Sequence, residues 1–266
     1  IIDHSNLSKQ LNEGLVDINL SFENPLVRVK SQDQNYRYQS ASIKTKFYGS
    51  PTSRVHNIQV GAKHLQTFIL DSQIQFSINR SLGEVSAKTG YRKGLVITSK
   101  GILPEYGGGL CQVSTSIYRA ALVTGMQILE RYPHSHAVSY YAQELGHGLD
   151  AAIYLGVKDL KFANPHDYPV LFELISSDFE LQVNTYGPIV HNYNFSNYKQ
   201  YDFVSPTHTR HLFDSTAKNP EVVMEAIRGF KTQWTLDRDG KSSQIYAHYQ
   251  AKPLTIKTAA IPERQS

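Results

Sequence analysis

Gly107-Gly108-Gly109-Leu110-Cys111-Gln112-Val113-Ser114-Thr115 is the stretch on which the architecture turns. Three consecutive glycines open backbone conformations and close approaches that any side chain would block. Val113, Ile117, Ala120 and Ala121 then follow at helical spacing until Gly125 stops the run, which predicts a glycine loop feeding directly into a helix. Such a loop sets Cys111 at the positive end of the helix dipole, among first-turn N–H groups that favour a thiolate. The same N–H groups are suited to an oxyanion. Nucleophile, oxyanion site and room for a substrate backbone are therefore expected from this one segment.

Upstream, Pro51-Thr52-Ser53 carries helix-start chemistry, and Val55, Ile58, Ala62, Leu65 and Ile69 fall on one helical face. Gly61 weakens that amphipathic helix by up to ~1 kcal/mol relative to Ala, so its packed face must stabilise it. Weak alternation predicts strands at Leu15–Leu20 and Ile43–Phe47, and loops with short strands fill 75–98. Downstream, strand-like stretches at 126–130, 137–141, 151–155, 168–174 and 179–185 are separated by Gly, Pro, Asn and Asp. The composition changes near Gly187-Pro188: 189–203 is rich in Asn and Tyr, and Ser205-Pro206 and Asn219-Pro220 bracket a loop. A last hairpin has Phe230–Leu236 and Ser243–Tyr249 as arms and Asp239-Gly240 as its turn. The expected class is α+β: a mixed or antiparallel sheet with two principal helices, plus a small β-rich C-terminal appendage.

Composition excludes several function classes. With 40% hydrophobic and 19% charged residues over 266 positions, the chain is folded and large enough for a core without disulfide staples. Lys+Arg 27 against Asp+Glu 23, without basic clusters, indicates no nucleic-acid partner. The single cysteine excludes an internal disulfide and Cys-rich zinc or iron–sulfur sites. No apolar run approaches the ~20 residues of a membrane helix. The chain begins Ile1-Ile2-Asp3 without Met, as expected of a processed or truncated form that has lost an export signal or membrane anchor.

A thiolate needs a base or an ion-pair partner, and Arg131-Tyr132-Pro133-His134-Ser135-His136 offers two histidines before a predicted strand, with Asp150 as the orienting group. The candidate catalytic residues are Cys111, His134, Asp150 and His136. Arg54 and Asn57, one turn apart, can face the cleft together or form a solvated polar face. Ser114 and Thr115 read first as helix-capping groups. A metal set of His134, His136, His147 and Asp150 is the weaker reading because spacing fixes no third ligand; no metal and no cofactor are expected. The tyrosines between 186 and 201 either stack on sugar rings or pack on a sheet.

The chain resembles the VanW family of bacterial cell-envelope proteins. The resemblance rests on Arg54-Val55-His56-Asn57-Ile58, Phe76-Ser77-Ile78-Asn79 with Gly83, Gly90-Tyr91, the Gly107–Thr115 block with Tyr118, Glu130-Arg131 with His134-Ser135, Val138-Ser139-Tyr140, Gly148-Leu149-Asp150-Ala151, and Lys158–Asn164. These run in family order over about 42–187, which divides the chain into a 1–41 N-terminal β-rich extension, a 42–187 core and a 188–266 C-terminal extension. The resemblance implies an extracytoplasmic protein acting on peptidoglycan stem peptides, and the cysteine-dependent L,D-transpeptidation ascribed to some VanW domains. It would make Cys111 the nucleophile, His134 the base and Asp150 its orienting group, with His136 ranked second. Arg54 or Arg131 would hold a substrate carboxylate in a bidentate fork. Asn57, Gly108, Gly109, Gln112, Ser114 and Thr115 complete the expected substrate-binding set. Asp71-Ser72-Gln73 replaces the family's Pro-Gly turn, and the Tyr141–His147 spacer is long; both departures bear on substrate preference.

Two function classes follow: a thiol acyltransferase on stem peptides, and a noncatalytic module that holds a carboxylate or D-amino-acid end in the glycine loop. Thiol reactivity separates them.

Overall fold

A computed structural model describes residues 34–98, 101–143, 145–217 and 219–258, the side chains at 95–98 and 101–102 excepted. The strand expected at Leu15–Leu20 lies outside the described residues. In chain order the elements are β1 (Tyr38–Lys46), α1 (Thr52–His64), β2 (Thr67–Leu70), β3 (Gln75–Ser77), α2 (Ile78–Leu82), β4 (Lys93–Thr98), β5 (Gly101–Tyr106) and α3 (Leu110–Thr124). There follow β6 (Gln127–Glu130), β7 (Lys161–Ala163), β8 (Val170–Ser176), β9 (Glu180–Gly187), β10 (Tyr193–Val204), β11 (Thr209–Phe213), β12 (Glu221–Met224), β13 (Gly229–Arg238), β14 (Lys241–Tyr249) and β15 (Leu254–Thr258).

The core rests on an antiparallel sheet of order β1-β9-β8-β2, which pairs Ile43 with Val183 and Val183 with Leu174. Alternation sorts its side chains. Phe172, Leu174, Leu181 and Val183 join Ile58 and Ala62 of α1 and Val113, Ile117, Ala120 and Ala121 of α3 in one buried cluster. Leu171 and Tyr186 turn away to pack with Tyr36. A sealed side chain such as Ile117 or Phe172 contributes about 1.5–3 kcal/mol by burial. Gly61 lies where α1 meets α3: a Cβ there would be 2.5 Å from Leu110 Cδ2, so the residue that weakens the helix locally allows the close packing.

Short strands surround this core as the antiparallel set β3-β7-β6 and the hairpin β4-β5. The C-terminal region forms the antiparallel sheet β10-β13-β14 and the mixed sheet β11-β15-β12, in which β11 and β15 run parallel. The architecture is α+β, and among the described residues the two helices longer than a single turn or so are the two expected. Asp239 and Gly240 have φ of 49° and 78°, as a tight hairpin turn requires. The hairpin docks on the core through buried Leu236 and through Arg238 Nη1, which donates to the Leu122 carbonyl at 2.8 Å near the negative end of α3.

Several local expectations are corrected. The first helix stops at His64 with Leu65 as its C-cap, so Ile69 sits in β2. The strand at Phe76 ends at Ser77, whose Oγ accepts from Arg80 N at 3.2 Å and starts α2. Residues 139–141 form a 3-10 turn, and 151–155 form no strand beyond one bridge from Tyr154 to Lys158. The loop bracketed by Pro206 and Pro220 contains β11. His134 precedes no strand but lies in the loop after β6. In each case short-range alternation was overridden by long-range packing or by a cap.

Candidate active site

Gly109 is the N-cap of α3 with φ 116°, and Cys111 occupies the second helical position. A Cβ on Gly109 would lie 3.0 Å from both Cγ and the carbonyl oxygen of Arg54, and one on Gly108 would lie 3.0 Å from the Gly94 carbonyl carbon. The glycines thus let the loop press against α1 and β4. The room expected for a substrate backbone at Gly108 and Gly109 is taken up by the protein itself. Leu110 N and Gln112 N donate to Gly107 O and Gly109 O at 3.0 and 2.8 Å, so two first-turn amides expected to face an oxyanion are already used within the loop.

The sulfur is half-buried and free, with the Ile153 carbonyl oxygen 3.5 Å away. The His134 imidazole is the side chain that acts on it most strongly in favour of the thiolate. The His134 Nδ1 faces Asp150 Oδ2 at 2.6 Å, and the same oxygen accepts from the His134 backbone N–H at 2.8 Å. Committing Nδ1 to the carboxylate leaves Nε2 for the sulfur. The imidazole stacks on Tyr141, ring centroids 4.7 Å apart.

Electrostatics make these three groups one unit. Burial pushes the Cys111 thiol up, but the His134 hydrogen bond and charge, helped by an Ile153 backbone hydrogen bond, outweigh it and hold the thiol below its ordinary value. Burial pulls His134 down, yet hydrogen bonds to Asp150 and Cys111 raise it to about 9. Burial also raises Asp150, and His134, Arg131 and Tyr249 together hold its carboxyl well below the usual carboxylate range. The directions at all three groups favour the charged forms, thiolate, imidazolium and carboxylate, over what burial alone would allow. The groups that lower the thiol are the His134 imidazole and the Ile153 main chain.

Other predicted residues are dispersed. Arg54 lies against the site: Nη1 donates to Ser50 Oγ at 2.6 Å, Nη2 to Gln112 Oε1 at 2.9 Å, and its guanidinium stands 4.2 Å over the Tyr140 ring. Asn57 is sealed, donating to the Arg92 and Gly108 carbonyls and accepting from Arg92 N. It clamps the glycine loop and has no group left for a ligand. Gln112, Ser114 and Thr115 are fully buried. Thr115 Oγ1 accepts from Ala151 N at 3.0 Å, anchoring the residue after Asp150; it caps no helix. Arg131, expected to fork a substrate carboxylate, instead donates to the carbonyls of Asp150, Gly148 and Tyr246 at 2.7, 2.7 and 3.0 Å. His136 is engaged elsewhere, its Nδ1 meeting the Gln250 carbonyl oxygen at 2.9 Å. His147 packs on Phe230 and Tyr249. Among the described residues no group of three or more His, Cys, Asp or Glu converges as metal ligands.

Sequence reasoning missed three supporting residues. Buried Arg119 of α3 donates to the carbonyls of Tyr141, at the start of the long spacer, and of Leu149, beside Asp150. Tyr141 supplies the floor under His134. Tyr249 of β14 donates its hydroxyl proton to Asp150 Oδ1. Only Arg119, the one charged residue of its helix, carried any local signal. The tyrosines between 186 and 201 resolve toward packing where Tyr198 stacks on Trp234 at 4.5 Å.

Among the described residues no helix is long and apolar enough to cross a membrane, which says nothing of β-barrels. No solved structure matches the chain. The uncharacterized protein YoaR of Bacillus subtilis is 33% identical over 127 residues, covering 48% of this chain and 41% of that one. The vancomycin B-type resistance protein VanW of Enterococcus faecalis is 29% identical over 118 residues, covering 43% of this chain and 42% of that one. The matches thus span about two-fifths of each relative. The model for the family described as VanW like protein matches residues 53–186. That block runs unbroken from the start of α1 to the end of β9, about half of the sequence, and the chain belongs to the VanW family.

Proposed function

We propose that this protein is an extracytoplasmic cysteine acyltransferase that modifies peptidoglycan stem peptides in the manner of an L,D-transpeptidase. The observation that carries the reading is the series Asp150–His134–Cys111: His134 Nδ1 lies 2.6 Å from Asp150 Oδ2, and interaction between imidazole and sulfur lowers the thiol and raises the imidazole. Such a pair supplies nucleophile and general acid together. The Cys111 thiolate attacks a donor carbonyl carbon, forming the C–S bond. As the C–N bond breaks, Nε2–H of His134 protonates the leaving amine, and a thioester remains. An acceptor amine then attacks, gives its proton to His134, and expels the thiolate as the new amide forms.

Arg54 is the better candidate for a substrate carboxylate. Its contacts are to neutral acceptors and an aromatic face, and among the described residues no carboxylate pairs with it. Arg131 has its donors committed to main-chain carbonyls. The vancomycin-resistance name of one relative agrees with a site of action in the cell envelope.

The test is to incubate the protein with a tetrapeptide stem donor and follow its intact mass. A thioester adduct that is absent in Cys111→Ala supports the proposal. An inert thiol, with stem-peptide affinity kept in Cys111→Ala, returns the protein to the noncatalytic binding class.

A further inference from the structure

We infer that Tyr249, outside the residues that match the family model, is a positioning residue that fixes the Asp150 carboxylate for His134. This rests on the acyl-transfer reading of Cys111.

The division of labour at the Asp150 carboxylate points to it. Oδ2 is spent on His134, taking both the ring Nδ1 and the backbone N–H. Holding the carboxylate plane against rotation therefore depends on Oδ1. Only two donors are shown there: Arg131 Nη2 at 3.4 Å, long for a charge-assisted bond, and the much closer Tyr249 hydroxyl. The tyrosine has a single proton to donate. Gly148 N donates to the phenol oxygen at 2.8 Å, which leaves that proton directed at Asp150. The ring is 1% exposed and packed on Phe230, centroids 5.2 Å apart, so the hydroxyl has little freedom to wander.

The strand that carries Tyr249 reaches the His134 segment as well. Gln250 N donates to Ser135 O at 2.7 Å, the Gln250 carbonyl meets the His136 ring, and the Tyr246 carbonyl holds Arg131. One strand end therefore fixes the two loops on which the imidazole and the carboxylate sit. Tyr249 touches neither sulfur nor imidazole, so its effect must pass through Asp150.

The experiment is the pH dependence of Cys111 alkylation by iodoacetamide, followed by mass in the full chain, for wild type, Tyr249→Phe and His248→Ala. The last is an exposed neighbour on the same strand. Wild type is expected to show a lower inflection below the ordinary thiol value of ~8.5 and an upper one near 9, where His134 loses its proton. Tyr249→Phe keeps the ring and removes the hydroxyl. Its upper inflection should move down and its rate at neutral pH fall about tenfold, the low end of what losing an outer hydrogen-bond partner does. His248→Ala should follow wild type. A Tyr249→Phe profile that overlays wild type overturns the inference. So does an upward move, which would mean that the hydroxyl withdraws charge from the carboxylate rather than holding it in place. Asp150→Asn and the double variant Asp150→Asn/Tyr249→Phe ask the same question: identical profiles support action through Asp150, and a further additive change refutes it. If Tyr249→Phe does not fold, Phe230→Leu, which loosens the Tyr249 ring and keeps its hydroxyl, should move the upper inflection down as well, and an unmoved profile overturns the inference. A wild-type thiol that titrates like a free cysteine brings down the acyl-transfer reading itself. Failure at Tyr249 alone leaves that reading standing.

Discussion

Cys111 and His134 share their protons, so neither can be changed without altering the other. Replacing His134 with Gln removes the largest influence lowering the thiol. Burial and the Asp150 charge are then opposed only by the Ile153 backbone hydrogen bond, so alkylation of Cys111 should titrate above the free-thiol value of ~8.5, and acyl transfer should fall by about 10²–10⁴-fold, the usual contribution of a positioned acid–base group. Stability should follow pH with opposite signs at the two partners. His134 is raised to about 9 in the folded protein, so its contribution is complete below the unfolded value of ~6.5 and disappears as pH rises through 9. Asp150 is depressed, so its contribution is complete above ~3.9 and is lost as pH falls toward the folded value. Chemical denaturation across pH checks this: His134→Gln should flatten the alkaline limb and Asp150→Asn the acid limb. Cys111, His134 and Asp150 were legible because a glycine loop, a helix and a lone cysteine form a local pattern, and the histidine follows within one strand and loop. Tyr249 was not legible, since its contact with Asp150 spans 99 residues and nothing near it in sequence marks a hydroxyl in use. Nor were the roles of Arg131 and Asn57: a free and a fully committed polar group look alike in a string of letters.

The element that presents the sulfur is α3, and its starting point depends on what the preceding loop can tolerate. Gly109→Ala would put a side chain at φ 116° and 3.0 Å from the Arg54 carbonyl oxygen. A cost of about 1–3 kcal/mol is expected for the forced backbone, read as a lower denaturation midpoint at constant m-value, along with slower alkylation of Cys111 as the first turn shifts. Helix identity and its C-terminal stop at Gly125 were plain from spacing, as were the arms and turn of the last hairpin. Strand alternation in 137–141 and 151–155 misled because Arg119 and Arg131 hold this region by its carbonyls. That stabilisation comes from side chains elsewhere in the chain and leaves no period in the segment itself.

Across the whole molecule, the C-terminal sheet is tied to the site by Trp234 as well as by Tyr249. The indole Nε1 donates to the His147 carbonyl at 2.7 Å, just ahead of the Gly148–Asp150 segment, and the ring is 6% exposed. Trp234→Ala should cost about 3–5 kcal/mol, as for other buried aromatics cut to Ala, measurable by thermal or chemical unfolding. Cys111 reactivity should be disturbed with it, although Cys111 sits in α3 and Trp234 in β13. The family match ends at residue 186, and sequence could predict the hairpin beyond it but not the surface on which it docks, because docking depends on partners from every part of the chain. Trp234 is also the only tryptophan in the protein. Its emission is therefore a built-in optical gauge at the seam behind the carboxylate: a substrate that loosens or tightens the seam would announce itself in the fluorescence of the unlabelled protein.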